Sequence, residues 1–419
     1  MSQPKSDKTI LVIGGGIAGM TAAVEAAEVG YKVVLVEKEP FLGGRVVRMN
    51  QYFPKLCPPT CGMEINARRI RQNPLISVYT MAEVTQVGGS PGDYTVTVKV
   101  NPRYVTGKVD LDDSHAEAIA SERVDTFNAD MGKTKALYRP HPMSYPSTFV
   151  LDRAALSDED KGKLESAVPE GAIDFDMQPE TVELKAGAII VATGWAPYDA
   201  RKIENLGFGT CKNVVTNIMM ERLAAESGPT GGKIQRPGDG KEPASVAFVQ
   251  CAGSRDENHL QYCSGVCCMA SMKQARYVRE KLPDTNVTIF YIDIRPTGRH
   301  EDFYYELLGD EKITFVKGKV AKITEEAGGA LKLDVEDSIT GTKIADAFDL
   351  VVLATGMVPS LAAEKLPLDL KLDDYGFVVD GEEQGIFAAG VARHPIEVTR
   401  TVKEGTGAAL KAIQYITQS

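Results

Sequence analysis

The stretch that decides the fold is Lys8–Gly19, which reads KTILVIGGGIAG. It is an apolar, strand-like run that ends in glycines, and the Ala-rich segment Ile17–Val29 that follows predicts a helix. A second apolar run, Lys32–Glu37, ends in an acid about 20 residues beyond the glycines. This order and spacing are typical of a βαβ unit that binds a dinucleotide. A Gly-rich turn that binds nothing is the alternative, and the presence of all parts of the unit disfavours it.

Each glycine of this loop has a separate predicted role. Gly14 permits the tight turn, Gly16 lets the backbone approach a pyrophosphate, and Gly19 lets the helix pack against the strand. The N-terminus of the helix supplies partial positive charge for the phosphates. Glu37, at the end of the second strand, is expected to accept hydrogen bonds from the ribose hydroxyls.

The composition is that of a globular protein with more acids than bases. The chain has 419 residues, 47 Lys and Arg, 57 Asp and Glu, and a net charge of -10. This length predicts about two or three domains, and the charge disfavours binding to nucleic acid phosphates. Every apolar stretch is far shorter than the roughly 20 residues of a bilayer span. The polar segment Met1–Lys8 does not resemble a secretory signal, so we expect a cytoplasmic protein.

Four of the seven cysteines lie close together in the sequence, which points to metal or redox chemistry in a reducing compartment. They are Cys251, Cys263, Cys267 and Cys268. Four thiolates can hold a [4Fe-4S] cluster, which is the favoured interpretation; a zinc ion and a set of buried structural thiols are the alternatives. A helix is predicted over Cys268–Lys281, so the adjacent pair can both be ligands only in a non-helical turn before it.

The other three cysteines carry separate predictions. Cys57 and Cys61 enclose two prolines in CPPTC, where a redox-active pair, one ligand of a cluster and a structural role are all open. Cys211 stands alone and is expected to be structural.

A strand that could begin a second nucleotide-binding domain leads into the cysteines instead. Ala244–Gln250, ASVAFVQ, runs directly into Cys251, and no GxGxxG or GxGxxA follows. Without those glycines the backbone does not cradle a pyrophosphate, so direct use of NAD(P)H is not expected. Further strands are predicted at Asn286–Ile292, Ile313–Lys317 and Leu350–Ala354.

Several later motifs resemble those of flavoproteins with two dinucleotide-binding domains. They are FLGGR at Phe41–Arg45, AIIVATG at Ala188–Gly194, LVVLATG at Leu350–Gly356, and GIFAAG at Gly385–Gly390 before a predicted helix, Lys403–Ile416. The resemblance implies an α/β fold with two Rossmann-like domains, as in disulfide reductases, and a bound FAD. The FAD contacts that it implies are Gly14, Gly15, Gly16, Ala18, Gly19, Glu37, Lys38, Gly44, Arg45, Val84, Thr193, Gly194, Gly390 and Val391. Val391 is a departure, because the motif usually has an acid there.

The same resemblance implies a discontinuous FAD-binding domain. Its first part is residues 1–197, its C-terminal part is 357–419, and a second Rossmann-like domain with the cysteine cluster occupies 198–356. Residues from about 101 to 183 interrupt the first part as an acidic, irregular insertion with a surface helix at Leu156–Leu164. Both a solvated insertion and a surface on which a partner subunit docks are open for this segment.

The cysteine motifs CAGSRD and YCSGVCCM, combined with this FAD fold, resemble those of the A subunits of heterodisulfide reductases. The resemblance implies an electron-transfer flavoprotein subunit whose cluster is held by the four neighbouring cysteines. No catalytic acid or base is predicted, because the flavin carries the redox chemistry.

Within this family, the length and the absence of ferredoxin-type cysteine runs resemble the A subunits of quinone-interacting membrane-bound oxidoreductase complexes of sulfate reducers. That resemblance implies a larger flavin and iron-sulfur subunit, a quinone-reactive membrane subunit, adenylylsulfate reductase as a redox partner, and membrane association through the partners. The alternatives are an autonomous NAD(P)H-dependent disulfide reductase and a structural FAD-binding assembly subunit. The missing second glycine loop disfavours the first of them.

Overall fold

The computed structural model describes residues 8–418. The prediction for Met1–Lys8 therefore falls, except for Lys8, outside the described residues. Within residues 8–418, no helix combines the length and the apolar composition needed to cross a membrane. Strands and helices form two main sheets with helices against them, in agreement with the predicted α/β class.

The glycine-rich stretch forms the βαβ unit that it predicts. The first elements are β1 (Thr9–Ile13), α1 (Ile17–Glu28), β2 (Lys32–Val36), α2 (Thr60–Gln72) and β3 (Ile76–Tyr79). β1 and β2 are runs of Val, Ile and Leu, as expected for inner strands of a parallel sheet that is covered on both faces. They pair in parallel, and α1 connects them.

The next elements form a small antiparallel sheet and the segment inserted into it. They are β4 (Ala82–Ser90), β5 (Asp93–Val100), α3 (Asp113–Glu117), β6 (Glu122–Val124), β7 (Lys133–Lys135), β8 (Leu137–Tyr138), β9 (Val150–Leu151), α4 (Asp158–Ala167) and β10 (Glu180–Ala186). β5 pairs with both β4 and β10, so the chain leaves this sheet after β5 and returns to it at β10.

The inserted segment differs from the predicted irregular stretch. It contains a hydrophobic core of its own, in which Ile119, Leu137 and Leu164 are buried. Its apolar residues are spread over short elements without a sustained period, so the sequence pattern did not reveal this core. The last predicted residues, 180–183, belong to β10, and the surface helix begins at Asp158 rather than Leu156.

The remaining elements build the second sheet and return to the first. They are β11 (Ala188–Val191), β12 (Trp195–Pro197), β13 (Val214–Thr216), α5 (Asn217–Ala224), β14 (Ser245–Ala252), α6 (Cys267–Lys281), β15 (Asn286–Tyr291), α7 (His300–Leu308), β16 (Ile313–Glu325), β17 (Leu331–Asp337), β18 (Lys343–Phe348), β19 (Leu350–Thr355), β20 (Met357–Pro359), β21 (Ile386–Ala388) and α8 (Val398–Gln418).

Strand order decides which loops meet. The first sheet has the order β21-β11-β1-β2-β3, and the second has β13-β19-β14-β15-β16-β17-β18. The strands from β13 to β16 in this second list pair in parallel, whereas β17 and β18 pair antiparallel. The loops that follow β19, β14 and β15 therefore lie at one edge of the second sheet.

Candidate functional site

The three glycines after β1 differ in what surrounds them. A Cβ atom at Gly14, whose φ is +108°, would lie 2.3 Å from the Ala192 carbonyl oxygen, and one at Gly19 would lie 1.9 Å from the Gly14 oxygen. Close backbone packing therefore requires both glycines. A Cβ at Gly16 has no atom within 4 Å, and the φ of Gly16 is -70°. The space beside Gly16 is open, which fits the predicted approach of a pyrophosphate.

Glu37 directly follows β2 and holds the glycine loop. Its buried carboxylate accepts hydrogen bonds from the backbone N-H of Gly15, at 2.5 Å, and of Glu39, at 2.7 Å. Burial raises the pKa of this carboxyl, and the two N-H donors oppose the rise. The acid therefore has a structural task in addition to the ribose contact that the motif predicts.

Lys38 and Val84, both predicted FAD contacts, have other partners. Lys38 forms an exposed ion pair with Glu364 at 2.6 Å, and Val84 packs in a hydrophobic core that includes β2. Gly44 lies at the glycine loop, because its Cβ position is 3.0 Å from the Gly16 Cα atom.

The turn after β11 adds two further features beside this loop. The Thr193 hydroxyl is buried and has no hydrogen-bond partner in the described part of the chain, and a Cβ at Gly194 has no atom within 4 Å. Arg45 donates from Nε to the Trp195 carbonyl at 2.5 Å and stacks over the Trp195 ring at 5.0 Å. Burial, and then the charge of Arg48, lowers the pKa of Arg45 to about 10. An unpartnered hydroxyl beside open backbone fits a polar ligand.

The C-terminal part of the chain contributes Gly390 and Val391. Gly390 has a φ of +65°, and its Cβ position lies 3.0 Å from both the Ala18 Cβ and the Thr401 Cγ2 atoms. A side chain there would push α1 and α8 apart. Val391 is buried and packs among apolar side chains.

Glu404 is an acid beside Gly390 that the sequence analysis missed. Its Oε2 atom accepts a hydrogen bond from the Gly390 N-H at 3.0 Å, and its Oε1 atom lies 3.2 Å from His394 Nε2. The helix was predicted to begin at Lys403, whereas α8 begins at Val398 and brings Glu404 against the motif. The sequence signal that could have pointed to this contact is an acidic residue, Glu404, in the last helix close after the GIFAAG motif.

The cysteine loop, residues 251–268, begins with an uncommon backbone. β14 shifts its register against β19 between Val249 and Ala252. Cys251 and Arg255 have φ values of +55° and +58°, in the left-handed region that few non-glycine residues adopt. Such conformations cost on the order of 1–3 kcal/mol each and are concentrated at functional sites.

The four predicted metal ligands come from the end of β14, the loop and the first turn of α6. They are Cys251, Cys263, Cys267 and Cys268. The non-helical turn expected for the adjacent pair is wrong, because α6 begins at Cys267. The two thiols nevertheless diverge: Cys267 Sγ donates to the Thr355 carbonyl at 3.7 Å, and Cys268 Sγ donates to the Asp293 carbonyl at 3.6 Å.

The thiols affect one another electrostatically. Burial raises the pKa of Cys251 to about 11, with a smaller contribution from Cys268. Burial also raises the pKa of Cys267, and charge on each of the other three cysteines adds to that rise. The charge of each thiol is therefore felt by others of the set. Within residues 8–418, no three side chains of His, Cys, Asp or Glu form a group that could hold a metal ion.

Two arginines beside the thiols were not predicted. Arg255 forms an ion pair with Asp293, and Arg295 lies 3.1 Å from the same carboxylate. The positive charge of Arg255 opposes the rise in the pKa of Cys251. Asp293 and Arg295 follow β15, the strand that neighbours β14. Only the pairing of β14 with β15 would have predicted that Asp293 and Arg295 lie beside the cysteine loop.

The other cysteines are also free thiols. Cys57 is half-buried and Cys61 is exposed in the first turn of α2. Burial, and then charge on these two cysteines, raises the pKa of Tyr52. Cys211 is buried in a hydrophobic core of the second sheet, which agrees with the structural role predicted for it.

One apolar cluster, here called the bridging cluster, connects the two candidate sites. Its members are Met357, Phe377, Val391, Ile396, Trp195, Tyr262 and Val266. Val391 and Trp195 belong to the predicted FAD side, whereas Tyr262 and Val266 each precede a cysteine of the loop. The Tyr262 hydroxyl donates to the Met357 carbonyl at 2.6 Å and fixes the loop against β20.

Comparisons with known proteins first define the class. Residues 9–103 match the family of FAD dependent oxidoreductases. The thioredoxin reductase of Lactococcus lactis shares the fold with a TM-score of 0.53 at 15% identity, over 99% of this chain and 100% of that one. The thioredoxin reductase of T. acidophilum has a TM-score of 0.53 at 14% identity, over 98% and 99% of the two chains. The chain therefore has the two-domain α/β fold of these reductases, and its residues 9–103 match the FAD dependent oxidoreductases.

Curated relatives then narrow the class. The A subunit of the ferredoxin/F(420)H(2)-dependent CoB-CoM heterodisulfide reductase of Methanosarcina acetivorans is 38% identical over 98% of this chain and 54% of its own length. An iron-sulfur A subunit of the Methanopyrus kandleri CoB-CoM heterodisulfide reductase is 39% identical over 96% of this chain and 63% of its own length. This chain is therefore similar to the A subunits of heterodisulfide reductases over nearly its whole length, and it spans only 54% and 63% of the length of these two relatives.

Proposed function

We propose that this protein is an electron-transfer subunit that holds FAD at the glycine loop and a [4Fe-4S] cluster at Cys251, Cys263, Cys267 and Cys268. The observation that carries the proposal is the bridging cluster, which contacts both the predicted FAD side and the cysteine loop. A flavin and an iron-sulfur centre on opposite sides of one apolar cluster would be separated by protein rather than by solvent.

Several residues around each site support the proposal, although the four thiols are not gathered into a metal-holding group in this structure. Gly16, Gly194 and the unpartnered Thr193 hydroxyl would face the FAD. FAD supplies the exchange between two-electron and one-electron chemistry when it is bound. Arg255 and Arg295 lie beside the thiols and would stabilise their negative charge.

Electrons would come from a partner protein rather than from a nicotinamide nucleotide. The position after β14 is occupied by the cysteine loop, which lacks the glycines of a phosphate-binding turn. The relatives are named as subunits of heterodisulfide reductases. This naming supports a role within a multi-subunit complex.

The finer part of the proposal is a place in sulfate respiration. In it, this protein relays electrons between the quinone pool and adenylylsulfate reductase, together with a quinone-reactive membrane subunit and a larger flavin and iron-sulfur subunit. It rests on the sequence resemblance described above. Purification of the tagged chain from its native cells, with identification of co-purifying proteins, is the test. Recovery of such partners from the membrane fraction would support this assignment, and recovery of a different redox complex would contradict it.

The cofactor content tests the central proposal. Anaerobically purified protein is expected to contain one FAD and about four irons and four sulfides per chain. Its visible spectrum should show flavin bands on a broad iron-sulfur absorbance, and reduction with dithionite should produce a paramagnetic cluster signal. A single zinc without sulfide, or flavin alone, would contradict the proposal.

A further inference from the structure

One cavity of the structure lies outside both candidate sites. It has a volume of about 150 Å³ and lies between the loop at residues 39–48 and the inserted segment at residues 123–142. None of the predicted FAD contacts or cysteine ligands lines it. The loop at 39–48 also carries Gly44 and Arg45, which are predicted FAD contacts.

Three nitrogen atoms of residues lining this cavity are buried without a hydrogen-bond partner among residues 8–418. They are Arg48 Nε, Arg139 Nε and His141 Nε2. A buried donor without a partner is costly, and a charged donor more so than a neutral one. Two guanidinium groups and an imidazole in one cavity are a donor set that a negatively charged oxygen group would satisfy.

Aromatic rings hold these donors in place. The Arg48 guanidinium lies 5.7 Å from the Phe41 ring and 5.6 Å from the Phe127 ring. His141 stacks on Phe127 with the ring centres 5.0 Å apart and an angle of 21°. Arg139 is held over the ring of another phenylalanine, at 4.8 Å. Ring packing therefore helps to position all three donors, and Arg48 is held in addition by a hydrogen bond from Nη1 to the Thr126 carbonyl at 3.1 Å.

The acids that line the cavity are already engaged. Glu39 lies 3.5 Å from Arg48, and Asp125 accepts hydrogen bonds from the backbone N-H and the side-chain amide of Asn128 at 3.1 and 2.6 Å. Burial, and then the charges of Arg222 and Arg48, lowers the pKa of His141 to about 4, so its ring is neutral near pH 7. Glu39 offsets part of the Arg48 charge, but the Nε atoms of Arg48 and Arg139 still have no hydrogen-bond partner among residues 8–418.

We propose that this cavity is a binding site for a small oxyanion, of the phosphate or sulfate class, held by Arg48, Arg139 and His141. The bound anion would connect the inserted segment to the loop that carries Gly44 and Arg45. The site is independent of the proposed cluster and of electron transfer.

Calorimetric titration of the FAD-loaded protein with inorganic phosphate, and separately with sulfate and acetate, tests the proposal at constant ionic strength. Phosphate or sulfate should bind more tightly than acetate, because a tetrahedral anion offers oxygens to donors on both chain segments. Arg139→Gln should weaken binding at least about tenfold, as expected for loss of a charge-assisted hydrogen bond. His141→Phe should also weaken binding, while its ring keeps the stacking on Phe127.

The matched control is Arg153→Gln. Arg153 is an exposed arginine of the same inserted segment that stacks on Phe175 at 5.9 Å and does not line the cavity. This control should bind the anion as the wild type does. Absence of binding of phosphate and sulfate to the wild-type protein would overturn the proposal, as would equal binding by wild type, Arg139→Gln and His141→Phe. The FAD absorbance of each variant verifies that it is folded.

Discussion

Strand β1 of the first sheet and strand β14 of the second invite comparison because each is followed by a loop and then by a helix. After β1 the loop is short and made of glycines, and the helix begins at Ile17. Cys251, near the end of β14, is left-handed, and the longer loop that follows the strand leads through Cys263 to the two thiols at the start of α6. The same strand, loop and helix arrangement therefore presents either backbone N-H groups or thiols, and the loop alone makes the difference.

The turns at the ends of β11 and β19, which both have the sequence ATG, differ in the free space beside their glycines. A Cβ at Gly194, in the first turn, has no atom within 4 Å. A Cβ at Gly356, in the second turn, would lie 2.3 Å from Ser254 Oγ and 3.1 Å from Ser264 Oγ. In the second sheet, the space next to this turn is filled by the protein's own cysteine loop. This is a physical reason to expect one dinucleotide per chain.

The largest expected effect comes from closing the open space in the first sheet. Gly16→Val should abolish FAD binding, because the side chain would occupy the place that a pyrophosphate needs. The backbone of Gly16, with φ of -70°, accepts valine, so the variant should fold. Flavin absorbance per chain is the measurement. Gly162→Val, in α4, is the matched control and should retain FAD, since a Cβ there also meets no atom within 4 Å. Stoichiometric FAD in the Gly16→Val variant would contradict the predicted FAD site at the glycine loop.

The next largest expected effect is a loss of iron from the cysteine loop of the second sheet. Cys263→Ser and Cys267→Ser should each lower the content of about four irons per chain, because serine is a poor ligand for such a cluster. Both should retain FAD, which is expected to bind elsewhere. Cys211→Ser is the control and should change neither cofactor, since that thiol is buried in a hydrophobic core. Unchanged iron in both cluster variants would direct attention to Cys57 and Cys61.

The first βαβ unit could be predicted from the sequence because its parts are consecutive. Each element from Thr9 to Val36 follows the previous one directly, so local pattern and spacing were sufficient. The group of Arg255, Asp293 and Arg295 could not be found in this way. Those residues come together only because β14 and β15 are neighbours, which is a property of strand order.

Boundaries and backbone conformation were the other limits of the sequence analysis. Helix α8 begins five residues before the predicted Lys403. The contact of Glu404 with the Gly390 N-H depends on how this helix packs against the GIFAAG turn, which the sequence pattern does not show. The left-handed conformation of Cys251 is imposed by the loop and its neighbours, because cysteine itself does not favour it. Such features depend on tertiary packing, which local sequence patterns do not encode.

A third expected effect tests whether the second sheet has lost nucleotide use. NADH and NADPH should reduce the FAD of the isolated chain no faster than the background rate, whereas dithionite should reduce it completely. The physical reason is that the cysteine loop lacks the glycines that hold a pyrophosphate. Anaerobic stopped-flow absorbance is the measurement. Rapid bleaching of the flavin by either nucleotide would contradict this prediction. It would mean that the second sheet still binds a nicotinamide nucleotide although the cysteine loop lacks the glycines.

The helices after the two loops extend the comparison from chemistry to stability. The buried face of α1 consists mainly of Ala, Gly and Met, whereas α6 buries Lys273, Ser271 and Gln274. Lys273 forms an ion pair with Glu221 at 3.0 Å, with the two side chains 6% and 5% exposed. It also donates to the Gln51 carbonyl at 2.5 Å, which ties α6 to the loop before α2.

Lys273→Met should therefore lower the free energy of unfolding by about 3–5 kcal/mol, because it leaves the buried Glu221 carboxylate without its cation. Equilibrium unfolding in urea measures this loss. Lys281→Met, on the same helix, is the matched control; Lys281 is exposed and donates to the Gly232 carbonyl at 2.7 Å. The control should lose no more than about 1 kcal/mol. Equal losses in the two variants would mean that α6, like α1, is held by apolar packing rather than by its buried ion pair.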